Sequence, residues 1–224
     1  MFKRLLRHLI EDLIRHVSGP VGVRARRAYY RRRFKSCGAH LTIEPGVYFE
    51  SPEHISVGDW VWLDKHVVII AGREAKAGDV KLIPNPHCRA EPGEVIIGDR
   101  CHLSLNCVVQ GHGGVSIGHA FTASAGSIIY SMSNAVRSVR SGPIIDAGSG
   151  LGRVMSPVAV GDNVWLGINC VMIGNTVHDD CFLKPFSVVL ADIPSNTIAS
   201  GNPAQPERQR YPAPVDAATS TVGD

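Results

Sequence analysis

From Leu41 onward the chain keeps a beat of six. Val57, Leu63 and Ile69 open it, and the spacing returns at Ile97, Leu103 and Val109, at Ile117, Ala123 and Ile129, and at Val160, Leu166 and Met172. A small residue often stands four places after the aliphatic, and Gly-Asp often follows it directly, as in "VGDWVW", "IGDRCH" and "VGDNVW". A period of six fits neither the 3.6 residues of a helical turn nor a simple series of hairpins. It predicts a parallel β-helix, in which short strands are joined by tight turns and equivalent positions stack coil upon coil. Gly58-Asp59, Gly98-Asp99 and Gly161-Asp162 supply turn residues that tolerate unusual backbone angles and bond to nearby amides.

The repeat also places the cysteines. Cys101, Cys107, Cys170 and Cys181 fall four residues after Ile97, Leu103, Leu166 and Val177, so they read as compact core fillers. Cys37 and Cys88 lie outside the repeat, and without a CxxC pair the six cysteines are expected as reduced thiols and not as a metal cluster. Two interruptions, residues 70–94 and 131–157, each follow an aliphatic that closes a coil. Both should project from the same corner of the rod, and loops of that length are more often functional than decorative. The rod is expected to span 41–210, and a disordered tail is expected over 211–224.

Residues 1–40 differ in character. "MFKRLLRHLIEDLIRHV" places Phe2, Leu5, Leu6, Leu9, Ile10, Leu13, Ile14 and Val17 on one helical face. Residues 1–36 hold eleven Lys or Arg against two acids, while the rest of the chain is acidic on balance. No apolar stretch is long enough for a signal-peptide core or a membrane span, which suggests a cytoplasmic protein. The basic helix is read either as an anchor on the membrane's inner face or as a helix packed on its own domain or a neighbouring subunit. Basic charge alone does not point to nucleic acid, and no nucleic-acid partner is expected. Trp60 and Trp62 are expected to pack at the rod's edge beneath this helix.

"VAVGDNVWLGINCVMIGNTV", "ADIPSNTIASGNPAQPERQR" and "VVQGHGGVSIG" carry a resemblance. Over roughly 41–210 the chain resembles the hexapeptide-repeat acyltransferases of left-handed parallel β-helix fold, in the branch of sugar and polysaccharide O-acetyltransferases. The resemblance implies a homotrimer that binds acetyl-CoA in the groove between neighbouring rods, with a projecting loop around an acceptor sugar. It also implies a histidine acting as general base on the acceptor hydroxyl, a poor nucleophile at neutral pH.

In "SAGSIIYSMSNAV" Asn134 stands where that histidine belongs, and an amide cannot take a proton near neutral pH. Leu190-Ala191 replace a Thr-Lys pair that commonly meets the coenzyme, Gln205 stands where a basic residue often follows "GNPA", and Pro185 and Phe186 are bulkier than usual. Coenzyme phosphates lose cations by these changes, and Lys184, Arg208 and Arg210 are the available substitutes. The coenzyme set implied is Trp165, Gly167, Lys184, Ser187 and Arg208, and Ser131 and Ser133 are placed to hold the acceptor. His112, in "QGHGG", is the candidate substitute base. His119 and His178 read as surface turn residues, His66 and His102 as flanking core strands, and no metal is expected. Two functions follow: an acyl-CoA-dependent O-acetyltransferase on a sugar or cell-envelope glycan precursor, or a non-catalytic trimeric β-helix that serves as scaffold or binding protein.

Overall fold

The computed structural model describes residues 2–73, 80–134 and 152–212. In them the six-residue beat becomes a left-handed parallel β-helix. Each coil gives one short strand to each of three parallel sheets, called faces A, B and C here. One coil, for example, runs Val95–Ile97 on A, His102–Leu103 on B and Val108–Gln110 on C. Successive repeat aliphatics therefore land on successive faces and point inward. Ile97, Ile117 and Val160 stack on A, Leu103, Ala123 and Leu166 on B, and Val109, Ile129 and Met172 on C, each at most 4% exposed. Burying such a side chain contributes about 1.5–3 kcal/mol, and the columns supply it at every coil.

The Gly-Asp pairs have a mechanical reason. Asp99 Oδ1 accepts from the Asp59 amide at 2.7 Å, Asp162 Oδ1 from the His119 amide at 2.7 Å, and Asp179 Oδ1 from the Asp162 amide at 2.7 Å. Each carboxylate reaches back to the preceding coil, and a β-carbon at Gly58, Gly118 or Gly161 would collide with it. His119 replaces one aspartate in this ladder, its Nδ1 accepting from the Asp99 amide at 3.1 Å.

The turns from A to B and from B to C keep the spacing at six. The corner from C back to A does not: it takes five residues from Met172 to Val177 and thirty-one from Ile129 to Val160. All irregularity in coil length is thus confined to one edge.

The rod starts earlier than the repeat suggests. Ser36–Cys37 pairs in parallel with Ser56 and Val57, so Cys37 belongs to the first coil and not to a linker. Its open end is covered by two helices, α1 (Phe2–His16) and α2 (Gly19–Tyr30). Tyr30 and Phe34 pack on Phe49, with ring centroids 4.6 and 5.0 Å away, and the fully buried Arg26 donates from Nε to the Ile43 carbonyl at 2.8 Å. Trp60 and Trp62 do not lie beneath these helices: they are 60% and 49% exposed, Trp60 stacked on His40 and Trp62 against His102. At the other end Thr197–Gly201 continues face B and pairs antiparallel with Ala204–Gln209. Residues from 213 of the expected tail lie outside the described residues. No helix among the described residues is long and apolar enough to cross a membrane.

Candidate functional site

Both long excursions leave face C and return to face A, and they meet outside the rod. Met132–Asn134 pairs antiparallel with Arg153–Met155, which pairs parallel with Val80–Leu82. The first excursion then runs along the rod as far as later coils. Asn85 Nδ2 donates to the Pro157 carbonyl at 3.0 Å, and its Oδ1 accepts from the Thr176 hydroxyl at 3.2 Å. Ile83 to His87 form one wall of a cleft of about 380 Å³, with Ser156, Pro157, Ile173, Asn175, Leu190 and Asp192 opposite. Sequence reasoning missed Asn85. Its one local signal is a polar side chain held between Pro84 and Pro86 inside an excursion.

Asn134 ends its strand in the open, with its side-chain oxygen accepting from the Arg153 guanidinium. Ser133 beside it is also exposed. Ser131 is not: it is 0% exposed, its hydroxyl donates to the Gln110 carbonyl at 2.6 Å and accepts from the Gly113 amide at 2.9 Å. Its task is to root the second excursion on the coil below, and it offers no face to an acceptor.

That root also fixes His112, which precedes Gly113. His112 Nδ1 lies 2.8 Å from the Gly72 carbonyl oxygen. A carbonyl only accepts, so Nδ1 carries a proton, and in the neutral imidazole the lone pair is then on Nε2. An imidazole held in this tautomer at the variable edge has the form a general base requires.

The expected coenzyme residues lie elsewhere. Trp165 is on face B, 45% exposed, its indole N–H donating to the Ser124 hydroxyl at 2.9 Å and its ring 4.7 Å from Phe182. A β-carbon on Gly167 would stand 2.6 Å from the Pro185 nitrogen, so this glycine lets two coils stack closely. Ser187 is 0% exposed, with its hydroxyl donating to the Lys184 carbonyl at 2.7 Å, and is closed to any ligand. Lys184 is paired with the Glu207 carboxylate, which the ammonium and the Ser200 hydroxyl hold below its ordinary pKa. Arg208 is exposed, its guanidinium making a long 3.4 Å contact to the Gln209 carbonyl. Arg210 is committed to the fold, bonding the Cys181 carbonyl at 3.0 Å.

Face B lies opposite the corner between C and A in a three-sided rod. Trp165 and Arg208, on strands of face B, therefore stand on a different side of the rod from the corner that carries His112.

Comparison with known proteins follows this division. The family model described as the hexapeptide repeat of succinyl-transferase matches residues 94–131 and 157–184, on both sides of the second excursion. The chain thus carries the hexapeptide repeat of that family on either side of the excursion, and the relatives it matches are described as acetyltransferases. It is 28% identical over 193 residues to the galactoside O-acetyltransferase of Escherichia coli (strain K12), covering 86% of this chain and 72% of that protein. It is 29% identical over 167 residues to a Mycobacterium tuberculosis protein described as a probable acetyltransferase, covering 70% of this chain and 52% of the relative. The chain thus spans about half the length of that relative. Among solved structures, a variant of AntD, an N-acyltransferase from Bacillus cereus in complex with dTDP and coenzyme A, superposes with a TM-score of 0.66 at 17% identity. That match covers 82% of this chain and 88% of AntD, and it shows a shared fold.

Proposed function

We propose that the protein transfers an acetyl group from acetyl-CoA to a hydroxyl of a sugar or cell-envelope glycan precursor, with His112 as the general base. The observation that carries this reading is the 2.8 Å bond from His112 Nδ1 to the Gly72 carbonyl, which leaves Nε2 able to accept a proton. The acceptor oxygen attacks the thioester carbonyl carbon as Nε2 takes its proton. The tetrahedral adduct then collapses, the C–S bond breaks, and the proton on Nε2 passes to the departing thiolate. Asn134, its oxygen held by Arg153, keeps its amide N–H groups as donors that orient the acceptor or the thioester oxygen.

The acyl donor and acceptor class are supported by the Escherichia coli relative, a galactoside O-acetyltransferase, and by the coenzyme A bound to AntD. A homotrimer is supported by the opposed placement of the two half-sites, since face B of one rod and the irregular edge of another meet only between chains. Trp165 and Arg208 would line the coenzyme's path there, and the cleft beside Asn85 would take the acceptor.

A second reading, a non-catalytic trimeric scaffold, is favoured by two details: Glu207 already neutralises Lys184, and an amide occupies position 134. Calorimetric titration with acetyl-CoA separates the two. Saturable micromolar binding near one site per chain supports the enzyme, and absence of binding at millimolar coenzyme rejects it. Given binding, His112→Ala should lower kcat by roughly 10²- to 10⁴-fold with little change in coenzyme affinity, and an unchanged kcat removes His112 from its role.

A further inference from the structure

The helical cap presents its apolar side to solvent. α1 meets the rest of the protein mainly through polar groups. Glu11 accepts from the Tyr29 hydroxyl at 2.9 Å and from Arg33 at 3.2 Å, and the Ile14 and Val17 carbonyls accept from Arg26 at 2.9 and 2.7 Å. The Arg15 carbonyl accepts from the Gly46 amide at 2.9 Å. Among the described apolar side chains of α1, Ile14 is the one that packs against the core. Leu6, Leu9, Leu13 and Val17 form one stripe at helical spacing and are 48%, 59%, 71% and 36% exposed. An amphipathic helix that packs on its own domain buries this stripe, and here it is the part left open.

α2 runs back along α1, as the contacts of Arg26 with residues 14 and 17 and of Tyr29 with residue 11 require. It turns Gly22, Arg26 and Tyr30 inward. Its other side carries Val21, Arg24, Ala28 and Arg31 at helical spacing, all exposed, and Arg32 is exposed just beyond. The hairpin therefore carries an apolar ridge and a basic ridge, both open to solvent.

We propose that this hairpin docks on the surface of a bilayer containing anionic lipid, with the leucines among the acyl chains and the arginines against the headgroup phosphates. Two physical points select this occupant. A second copy pairing across a two-fold axis would set one arginine row near the other, and like charges oppose such a contact. An anionic bilayer offers hydrocarbon and negative charge side by side, the combination that holds interfacial helices. At 15 residues and about 1.5 Å per residue, α1 is too short to span a bilayer and lies along it instead.

Flotation of the full chain with phosphatidylcholine vesicles, with and without phosphatidylglycerol, tests this at low and high salt. The protein should float with the phosphatidylglycerol vesicles at low salt and be released at high salt, as screened charge requires. Arg24→Gln with Arg31→Gln should weaken partition roughly 25-fold, about 5-fold for each arginine. Leu9→Gln with Leu13→Gln should abolish flotation while leaving the thermal melt unchanged, since both side chains are exposed. Failure to float at low salt overturns the proposal, and so does equal flotation without phosphatidylglycerol. A change of mass in sedimentation of the leucine variant would also overturn it, because a second copy would then cover the stripe. The assay needs neither coenzyme nor acceptor, so its failure leaves the transferase reading standing.

Discussion

Replacing Arg26 with methionine should release the helical cap while leaving the rod folded. The side chain is fully buried and gives three hydrogen bonds, from Nε to Ile43 at 2.8 Å and from Nη1 to Ile14 at 2.9 Å and Val17 at 2.7 Å. Methionine keeps the aliphatic stem and loses all three. Bonds to a charged group contribute about 1.5–3 kcal/mol each, or about 5–9 together. Against this stands the cost of burying a guanidinium, seen in the lowered pKa of Arg26 through desolvation and in its unpartnered Nη2. A net loss of about 2–4 kcal/mol remains. Native-state hydrogen exchange reads it directly: amides of α1 and α2 should lose protection by roughly 30- to 1000-fold. Amides of the Val108–Gln110 and Ile128–Tyr130 strands should keep theirs. Unchanged helix protection would refute the view that Arg26 holds the cap, and uniform loss along the rod would refute the view that the cap opens alone.

Tyr30 makes the cap sensitive to alkali. Burial, with Glu11 adding to it, pushes its phenol up to about 12 from 10.0. Folding favours the neutral form, so this stabilisation is complete below pH 10 and is lost as pH rises through 12, about 3 kcal/mol in all. Tyr30→Phe should flatten that part of the stability profile, and an identical alkaline fall in the variant would count against it. Burial likewise pushes the thiols of Cys101 and Cys107 up to about 11, and Cys170 and Cys181 are raised for the same reason. A thiol reagent at neutral pH should therefore reach no more than Cys37 and Cys88 until the protein is denatured; rapid native labelling of the other four would contradict the packed columns. Gly113→Ala should lower stability by about 1–3 kcal/mol, because its β-carbon would collide with the Ser131 carbonyl. An unshifted melting temperature would mean that the root of the second excursion is looser than its hydrogen bonds imply.

The rod was legible because its information is periodic. Val57, Leu63 and Ile69 announce three faces in thirteen residues, and the columns they start continue along the rod. The rule that buried the cysteines also covered Ser187, four residues after Leu183, and applying it there would have removed Ser187 from the coenzyme set. The site was less legible because its contacts are neither local nor periodic. Val80–Leu82 and Arg153–Met155 pair across about seventy residues, and both strands lie outside the stacked columns that give the rod its pattern. Glu207 cancels Lys184 only because the chain folds back after Gly201. The apolar stripe of α1 was plain in the sequence. Its outward direction was not, since that depends on Arg26 and Glu11 taking the inner contacts.

The pairing of the two excursions also orders events in time as the chain is made. The cap and first coil leave the ribosome before the later coils, and each later coil finds a finished edge to add to, as in other stacked repeats. Val80–Leu82 has no such edge, because its partner strand is synthesised about seventy residues later. Asn85 waits longer still, for Thr176. A nascent chain stopped at Tyr130 would hold a growing rod with an unassembled edge, so any activity that depends on this edge arrives only when Arg153–Met155 and Thr176 are in place.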